Sequence, residues 1–250
     1  MPNNRRGQVI PRIFERNHGL RQAWFGAWYP KPDDEYCIII EDDLEVSPFW
    51  YTWLKKAWLK YGHREDMAGI ALQVRGCARE TEFENVPNNA ICFQRQYLMF
   101  KKPERSDMEI INNHEPFLYK LVGTWAFSPH PKNWRLFLDW FNSMDVDNFD
   151  PYVPGLITSD WLHMHNQMGK RHMTWEQWHV YWCEHHNQYT MYINLPNQFV
   201  LASNWREAGV HNRRSFGAKD YPTLDYCAIQ LQEFPDDLKR FGWDALEEKE

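Results

Sequence analysis

The sequence predicts one α/β domain, with a mixed and mostly parallel sheet flanked by helices, from three observations. Segments typical of strands and of helices alternate along 250 residues, which is the length of one large domain. The apolar run Tyr36–Ile40 is typical of a strand buried on both faces. Apolar side chains then recur at helical spacing from Phe49 to Tyr61. We expect a single domain over residues 1–250, with 1–15 and 236–250 peripheral.

The first half of the chain contains one helix among several strands. Ser47 and Pro48 are typical of a helix start, and Gly62 is typical of its end. Further strands are predicted at 67–74, 90–93 and 121–127, and a polar loop at 79–89.

The second half of the chain is mainly helical. Pro131 opens one helix, and the segment 145–155, rich in Pro and Asp, is expected to be a loop. A helix from Thr158 or Ser159 to Met168 ends at Gly169, and another runs from Thr174 to about His186. Thr174 and Gln177 have the spacing of a capping box, and 189–194 is typical of a strand.

Composition excludes several classes of protein. Apolar residues make up 43% of the chain, so a large core is expected, and the net charge of −6 argues against non-specific binding to nucleic acid or anionic membranes. No apolar run approaches the roughly 18 residues of a membrane span. The 5 cysteines are widely spaced and form no CxxC pair, which argues against a disulfide framework or a zinc knuckle.

Three consecutive carboxylates, Glu41, Asp42 and Asp43, directly follow the predicted strand Tyr36–Ile40. We call them the acidic triplet. Ligands of open α/β sheets bind at the carboxyl ends of the strands, and three adjacent carboxylates repel one another unless a cation lies between them. A hard divalent cation would relieve this repulsion and hold a diphosphate. The alternative is an acidic turn that stabilises the start of the next helix.

The decapeptide from Glu41 to Trp50 resembles the metal-binding acidic motif of GT-A-fold glycosyltransferases. Its closest resemblance is to the alpha-1,3-mannosyl-glycoprotein N-acetylglucosaminyltransferase I type, which has the same acidic triplet. Upstream, Arg16–Arg21 followed by Ala27 and Trp28 is similar to the helix that precedes this motif in such enzymes. Weaker similarities follow downstream, at Gly123–Ala126, Asn194–Pro196, Asn204–Glu207 and Gly209–His211. Only 40 residues precede Glu41, so the unit that holds the nucleotide in such enzymes is expected to be short or missing.

The resemblance implies a metal-dependent hexosyl- or N-acetylhexosaminyl-transferase that moves a sugar from a nucleotide donor, a UDP-sugar, to a hydroxyl of a glycan or other acceptor. Asp43 would bind Mn²⁺ or Mg²⁺, with His211 completing the metal shell. Glu41, Asp42 and Arg21 would contact the donor. The chain as given would be cytoplasmic, or in the Golgi lumen if an N-terminal anchor is missing from it.

An inverting transfer also needs a carboxylate base for the acceptor hydroxyl. Glu176, flanked by tryptophans at a helix start, is favoured over Asp160, and each has the alternative role of a first-turn acidic residue. Gly123, Trp125 and Trp178 are candidates for sugar binding. Trp178 lies one helical turn from Trp182, a spacing that favours core packing for both.

Two other functions remain open from the sequence. One is a catalytically inactive GT-A-like protein that binds carbohydrate or acts as a scaffold. The other, weaker, is a metal-dependent phosphoesterase that uses the acidic triplet and histidines. The histidines between 163 and 186 show no HExxH motif, so polar or pocket-lining roles are favoured over zinc binding.

Overall fold

The computed structural model describes residues 8, 10–73, 90–93, 108–207, 217–219, 221–225 and 233–249. In these ranges the α-helices are α1 (Leu20–Ala27), α2 (Trp50–Tyr61), α3 (Pro131–Ser143), α4 (Ile157–Gln167) and α5 (Glu176–His185). The strands are β1 (Leu44–Val46), β2 (Met67–Ala71), β3 (Ala90–Phe93), β4 (Met108–Ile111), β5 (Phe117–Tyr119), β6 (Phe127–Pro129), β7 (Tyr189–Tyr192), β8 (Ala202–Asn204) and β9 (Arg240–Phe241). A 3₁₀ turn, Arg171–Met173, lies between α4 and α5.

The central sheet has five strands in the order β6-β2-β7-β5-β9. The pairs β2/β7 and β5/β9 are parallel, whereas β6/β2 and β7/β5 are antiparallel. Two antiparallel ribbons, β1/β8 and β3/β4, accompany it. The α/β class and the mixed sheet are confirmed, but parallel pairs do not predominate. The tail, expected to be peripheral, contributes the edge strand β9.

The core lies between the sheet and the helices, and large aromatic rings fill much of it. Trp53 of α2, Trp134 of α3 and Trp178 of α5 are each at most 2% exposed. The fully apolar strand β2 and the buried strand β7 lie in the middle of the sheet. Helix α2 therefore forms because its periodic apolar face, predicted from the sequence, is buried here.

The prediction of a regular strand over Tyr36–Ile40 is wrong. Ile39 makes a single antiparallel bridge to Phe127, the first residue of the edge strand β6. Tyr36 and Ile40 are each 43% exposed. The run lies along the edge of the sheet rather than within it, so only part of its apolar surface is buried.

The strand predicted over 121–127 is displaced. β5 ends before it and β6 begins at its last residue, because a turn with Ala126 in the left-handed region (φ 52°) lies between them. Gly123 belongs to this turn, and a Cβ atom there would collide with the side chain of Ala71. The Gly123 position is thus explained by close packing on β2.

The remaining boundaries follow the predictions closely. β2, β3, β7 and α3 lie within the predicted segments, and α4 ends just before Gly169, whose φ is 67°. The predicted capping box of α5 is absent, since Thr174 bonds His165 and Gln177 bonds Thr158. The predicted loop at 79–89 lies outside the described residues.

Candidate functional site

Strand direction brings the predicted site residues to one edge of the sheet. The segment ending at Ile40 is antiparallel to β6, and β6 is antiparallel to β2, so this segment runs parallel to β2 and β7. The acidic triplet therefore lies at the same edge as the carboxyl ends of β2 and β7. The turn of Gly123–Ala126 precedes β6 and lies at that edge as well. This is the edge at which α/β sheets bind ligands.

Two elements fix the ends of the acidic triplet. On one side, the Glu41 carboxylate accepts a hydrogen bond from Trp24 Nε1 of α1 at 3.0 Å. On the other, the Asp43 carbonyl accepts one from the backbone N–H of Trp205 at 2.8 Å, where the ribbon β1/β8 begins. The triplet is thus held between α1 and β8.

The tryptophan that bonds Glu41 also connects the triplet to the start of α5. Trp24 is buried and stacks on Trp175, with ring centroids 3.8 Å apart and planes 17° from parallel. Trp175 directly precedes Glu176, and the Glu176 carboxylate accepts a hydrogen bond from the Trp175 backbone N–H at 3.1 Å. Stacking therefore places the start of α5 beside the triplet.

The carboxylates at this site act on one another. Burial raises the pKa of Glu41 to about 7, the Trp24 hydrogen bond opposes this rise, and the charges of Asp43, Glu176 and Asp42 add to it. Glu176 is thus close enough to the triplet for its charge to be felt there, although 135 residues of chain separate it from Glu41. The charges of three carboxylates thus act on the partly buried Glu41.

The other candidate base, Asp160, differs from Glu176 in exposure and in its effect on Glu41. Asp160 is exposed in the first turn of α4, whereas Glu176 is partly buried at the start of α5. The structure therefore brings Glu176, and not Asp160, into electrostatic contact with Glu41.

The candidates for sugar binding differ in accessibility. Trp178 is fully buried and packs edge-on against Phe141 with ring centroids 5.0 Å apart, so it offers no free face to a sugar. The core packing favoured for Trp178 and Trp182 is confirmed. Trp125 is partly exposed, and its backbone N–H is held by the buried Gln73 at 2.6 Å. Trp125 thus remains the accessible aromatic residue in the turn beside the triplet.

The predicted metal ligands are only partly described. Asp43 lies at the end of the triplet, and His211 lies outside the described residues. Within the described ranges, no three His, Cys, Asp or Glu side chains are arranged to hold a metal ion. Several histidines have other partners: His163 bonds Asp150, and His185 and His186 bond backbone carbonyls.

Two contacts of the site were not predicted from the sequence: that of Trp24 with Glu41 of the triplet, and that of Arg171 with Arg21. Trp24 is one helical turn beyond Arg21, and Arg171 lies in the 3₁₀ turn just before Trp175. The only sequence signal for Trp24 was its place in the helix that resembles the one preceding the acidic motif. Arg171 had no signal, because its contact with α1 depends on the tertiary fold.

Comparisons with known proteins give one similarity. A family model described as the SPBC1E8.03c C-terminal domain matches residues 5–100, less than half of the chain. This match includes α1 and the acidic triplet but ends before Trp125 and Glu176. No curated protein and no solved structure matches the chain. No helix in the described part of the chain is both long and apolar enough to cross a membrane.

Proposed function

We propose that this protein is a metal-dependent glycosyltransferase of GT-A type, which moves a sugar from a nucleotide-diphosphate donor to an acceptor hydroxyl with inversion. The observation that supports the proposal best is the approach of Glu176 to the acidic triplet at the ligand-binding edge of the sheet. A carboxylate that binds the donor side and a second carboxylate for the acceptor side are the two parts that such a reaction needs.

The donor side of the proposal rests on the position of the triplet, at the carboxyl ends of β2 and β7. Mg²⁺ and similar ions at nucleotide sites take one or two carboxylates and complete their shell with phosphate oxygens and water. Asp43, beside Asp42 and the partly buried Glu41, fits this requirement without a preformed cage of protein ligands. A divalent cation bound there would supply stabilisation of the negative charge that grows on the leaving diphosphate.

The acceptor side rests on the position of Glu176. Its carboxylate is partly exposed at the start of α5, with one oxygen held by the Trp175 backbone N–H. In the proposed reaction this carboxylate removes the proton of the acceptor hydroxyl. The hydroxyl oxygen then bonds to the anomeric carbon as the bond from that carbon to the donor phosphate breaks. Trp125, in the strained turn at the same edge, is positioned to stack on a sugar ring.

The test is transfer of sugar from UDP-sugars, with Mn²⁺ present, to a panel of glycan acceptors. We expect Glu176→Gln to lower transfer by roughly 10²–10⁴ while the affinity for the donor is retained. Asp160→Asn is the matched control, because it also removes a first-turn carboxylate from a helix and should leave transfer nearly unchanged.

Three results would contradict the proposal. Loss of transfer in the Asp160 variant alone would move the base to α4. Sugar binding with neither donor hydrolysis nor transfer would favour a catalytically inactive carbohydrate-binding protein. Release of phosphate from a simple phosphomonoester would favour a phosphoesterase.

A further inference from the structure

The start of α1 packs tightly on the 3₁₀ turn that precedes α5. Gly19, with φ 81°, precedes α1, and a Cβ atom there would lie 2.5 Å from the ring of His172. A glycine permits this close approach. The contact places Arg21, in the first turn of α1, near Arg171, at the first position of the 3₁₀ turn.

The two guanidinium groups share one aromatic platform. The Arg21 Cζ atom lies 5.8 Å from the centre of the Trp178 ring, and the Arg171 Cζ atom lies 5.3 Å from it. Arg21 also lies 5.6 Å from the ring centre of Phe141. Cation–π contacts of this kind hold a guanidinium plane while using none of its N–H donors.

Both guanidinium groups keep buried donors without a partner. Arg21 Nη1 and Arg171 Nε have no hydrogen-bond acceptor among the described residues, although one Arg171 nitrogen donates to the Phe149 carbonyl. Buried donors without acceptors are costly, and a pair of them at one place indicates a missing acceptor.

The electrostatics agree with this geometry. Burial, followed by the charge of Arg171, lowers the pKa of Arg21, and the charge of Asp147 only partly opposes the shift. Asp147 is itself exposed to solvent. The charge of Asp147 thus does not offset burial and the charge of Arg171 at Arg21.

We propose that Arg21 and Arg171 bind a phosphoryl group, with the Trp178 platform fixing the two guanidinium planes around it. A phosphate dianion matches two cationic groups in charge and offers enough oxygens for the unpartnered donors on both. The nucleotide form of this site rests on the proposed function, in which Arg21 contacts the donor, whereas the binding of a phosphoryl group itself needs neither metal nor transfer. The phosphoryl group belongs either to the diphosphate of a nucleotide donor or to a phosphorylated sugar.

The experiment is isothermal titration of the full chain with inorganic phosphate, in EDTA and at low salt. We expect Arg21→Gln and Arg171→Gln each to weaken phosphate binding by about 10-fold or more, which is the loss of one charge-assisted contact. Arg171→Lys should bind phosphate more tightly than Arg171→Gln, because it restores the charge without the planar fork.

Arg135→Gln is the matched control, because that guanidinium already donates to Asp33 at 2.5 Å and to the Lys31 carbonyl at 3.1 Å. Circular dichroism and thermal unfolding show whether each variant is folded. An absence of phosphate binding by the wild-type protein, or an equal loss in the Arg135 variant, would overturn the proposal.

Titrations with UDP and with glucose 6-phosphate identify the source of the phosphoryl group. Tighter binding of UDP than of phosphate, lost in the Arg21 variant, indicates a nucleotide diphosphate, and the same result with glucose 6-phosphate indicates a phosphorylated sugar. Phosphate binding without sugar transfer would refute the proposed glycosyltransferase and leave this site standing. Transfer without arginine-dependent phosphate binding would do the reverse.

Discussion

Replacement of Glu41 by glutamine should stabilise the metal-free protein at alkaline pH. Glutamine keeps the size of the side chain and an oxygen that accepts the Trp24 hydrogen bond, but it cannot ionise. The pKa of Glu41 is raised from 4.5 to about 7, so ionisation of this group is easier in the unfolded chain than in the folded protein. Ionisation of Glu41 therefore lowers the free energy of unfolding progressively as pH rises from 4.5 through 7.

The magnitude follows from the size of that shift. At pH 8.5 the full difference corresponds to about 3 kcal/mol, and partial access of solvent to the carboxylate reduces this to about 2 kcal/mol. At pH 4.5 Glu41 is protonated in the folded protein and about half ionised on unfolding, so the variant and the wild type should differ by only about 0.4 kcal/mol. The gain should thus grow as the pH rises.

The assay is urea denaturation of the wild type and the variant at pH 4.5 and 8.5, with EDTA present. Glu45→Gln is the control, because hydrogen bonds from Lys219 and Thr223, opposed only by slight burial, lower the pKa of Glu45. Ionised Glu45 stabilises the fold above its normal pKa, so its replacement should lower stability at pH 8.5. A Glu41 variant that is no more stable than wild type at pH 8.5, or equally stabilised at both pH values, would refute the reasoning.

Three further predictions use stability as the measurement. Asp43→Asn should abolish the rise in unfolding temperature that Mn²⁺ gives the wild type, and equal stabilisation of both proteins would contradict the metal assignment. Burial lowers the pKa of His179 to about 3, so stability is lost as pH falls below 6.5. His179→Leu should remove about 2 kcal/mol of the loss between pH 7.5 and 5, and an unchanged loss in urea denaturation would contradict this. Trp24→Phe removes the donor that lowers the pKa of Glu41, so its stability in urea should fall more steeply above pH 7 than that of the wild type; a parallel fall would show that this bond does not affect the carboxylate.

Helices with a periodic apolar face could be predicted well, because burial of that face is what stabilises them. α2 begins and ends within a few residues of its predicted limits, and α3 begins at Pro131 as predicted. The prediction of a strand at Tyr36–Ile40 was wrong, because a continuous apolar run does not distinguish a central strand from a segment on the sheet edge. The predicted capping box was wrong for a different reason. Gln177 accepts a hydrogen bond from Thr158 and donates one to the Pro151 carbonyl, so tertiary contacts replace the local one.

The acidic triplet could be predicted as a candidate site because its residues are adjacent in the sequence. The approach of Glu176 could not be predicted from spacing, since it depends on the stacking of Trp24 on Trp175. The resemblance supplied Glu176 as a candidate, but only the fold separates it from Asp160. A tryptophan in the sequence does not by itself indicate a sugar-binding residue. Trp178 is buried in the core, whereas Trp125 is partly exposed in a turn.

The two arginines lie on α1 and the segment 171–176, and the acidic triplet contacts the same two elements. α1 carries Arg21 and Trp24, and the segment 171–176 carries Arg171, Trp175 and Glu176. Between these elements the arginines lie near each other and the tryptophans stack. Trp24 donates a hydrogen bond to the partly buried Glu41, and the charge of Glu176 acts on the same carboxylate.

Like charges act on one another in both clusters. Burial and then other carboxylates raise the pKa of Glu41, and burial and then Arg171 lower the pKa of Arg21. The carboxylates and the arginines thus form two clusters of opposite charge that share α1 and the segment 171–176. A ligand that joins a cation to a phosphoryl group would match both clusters at once. This complementarity is the physical reason to test the metal and phosphate sites on the same variants.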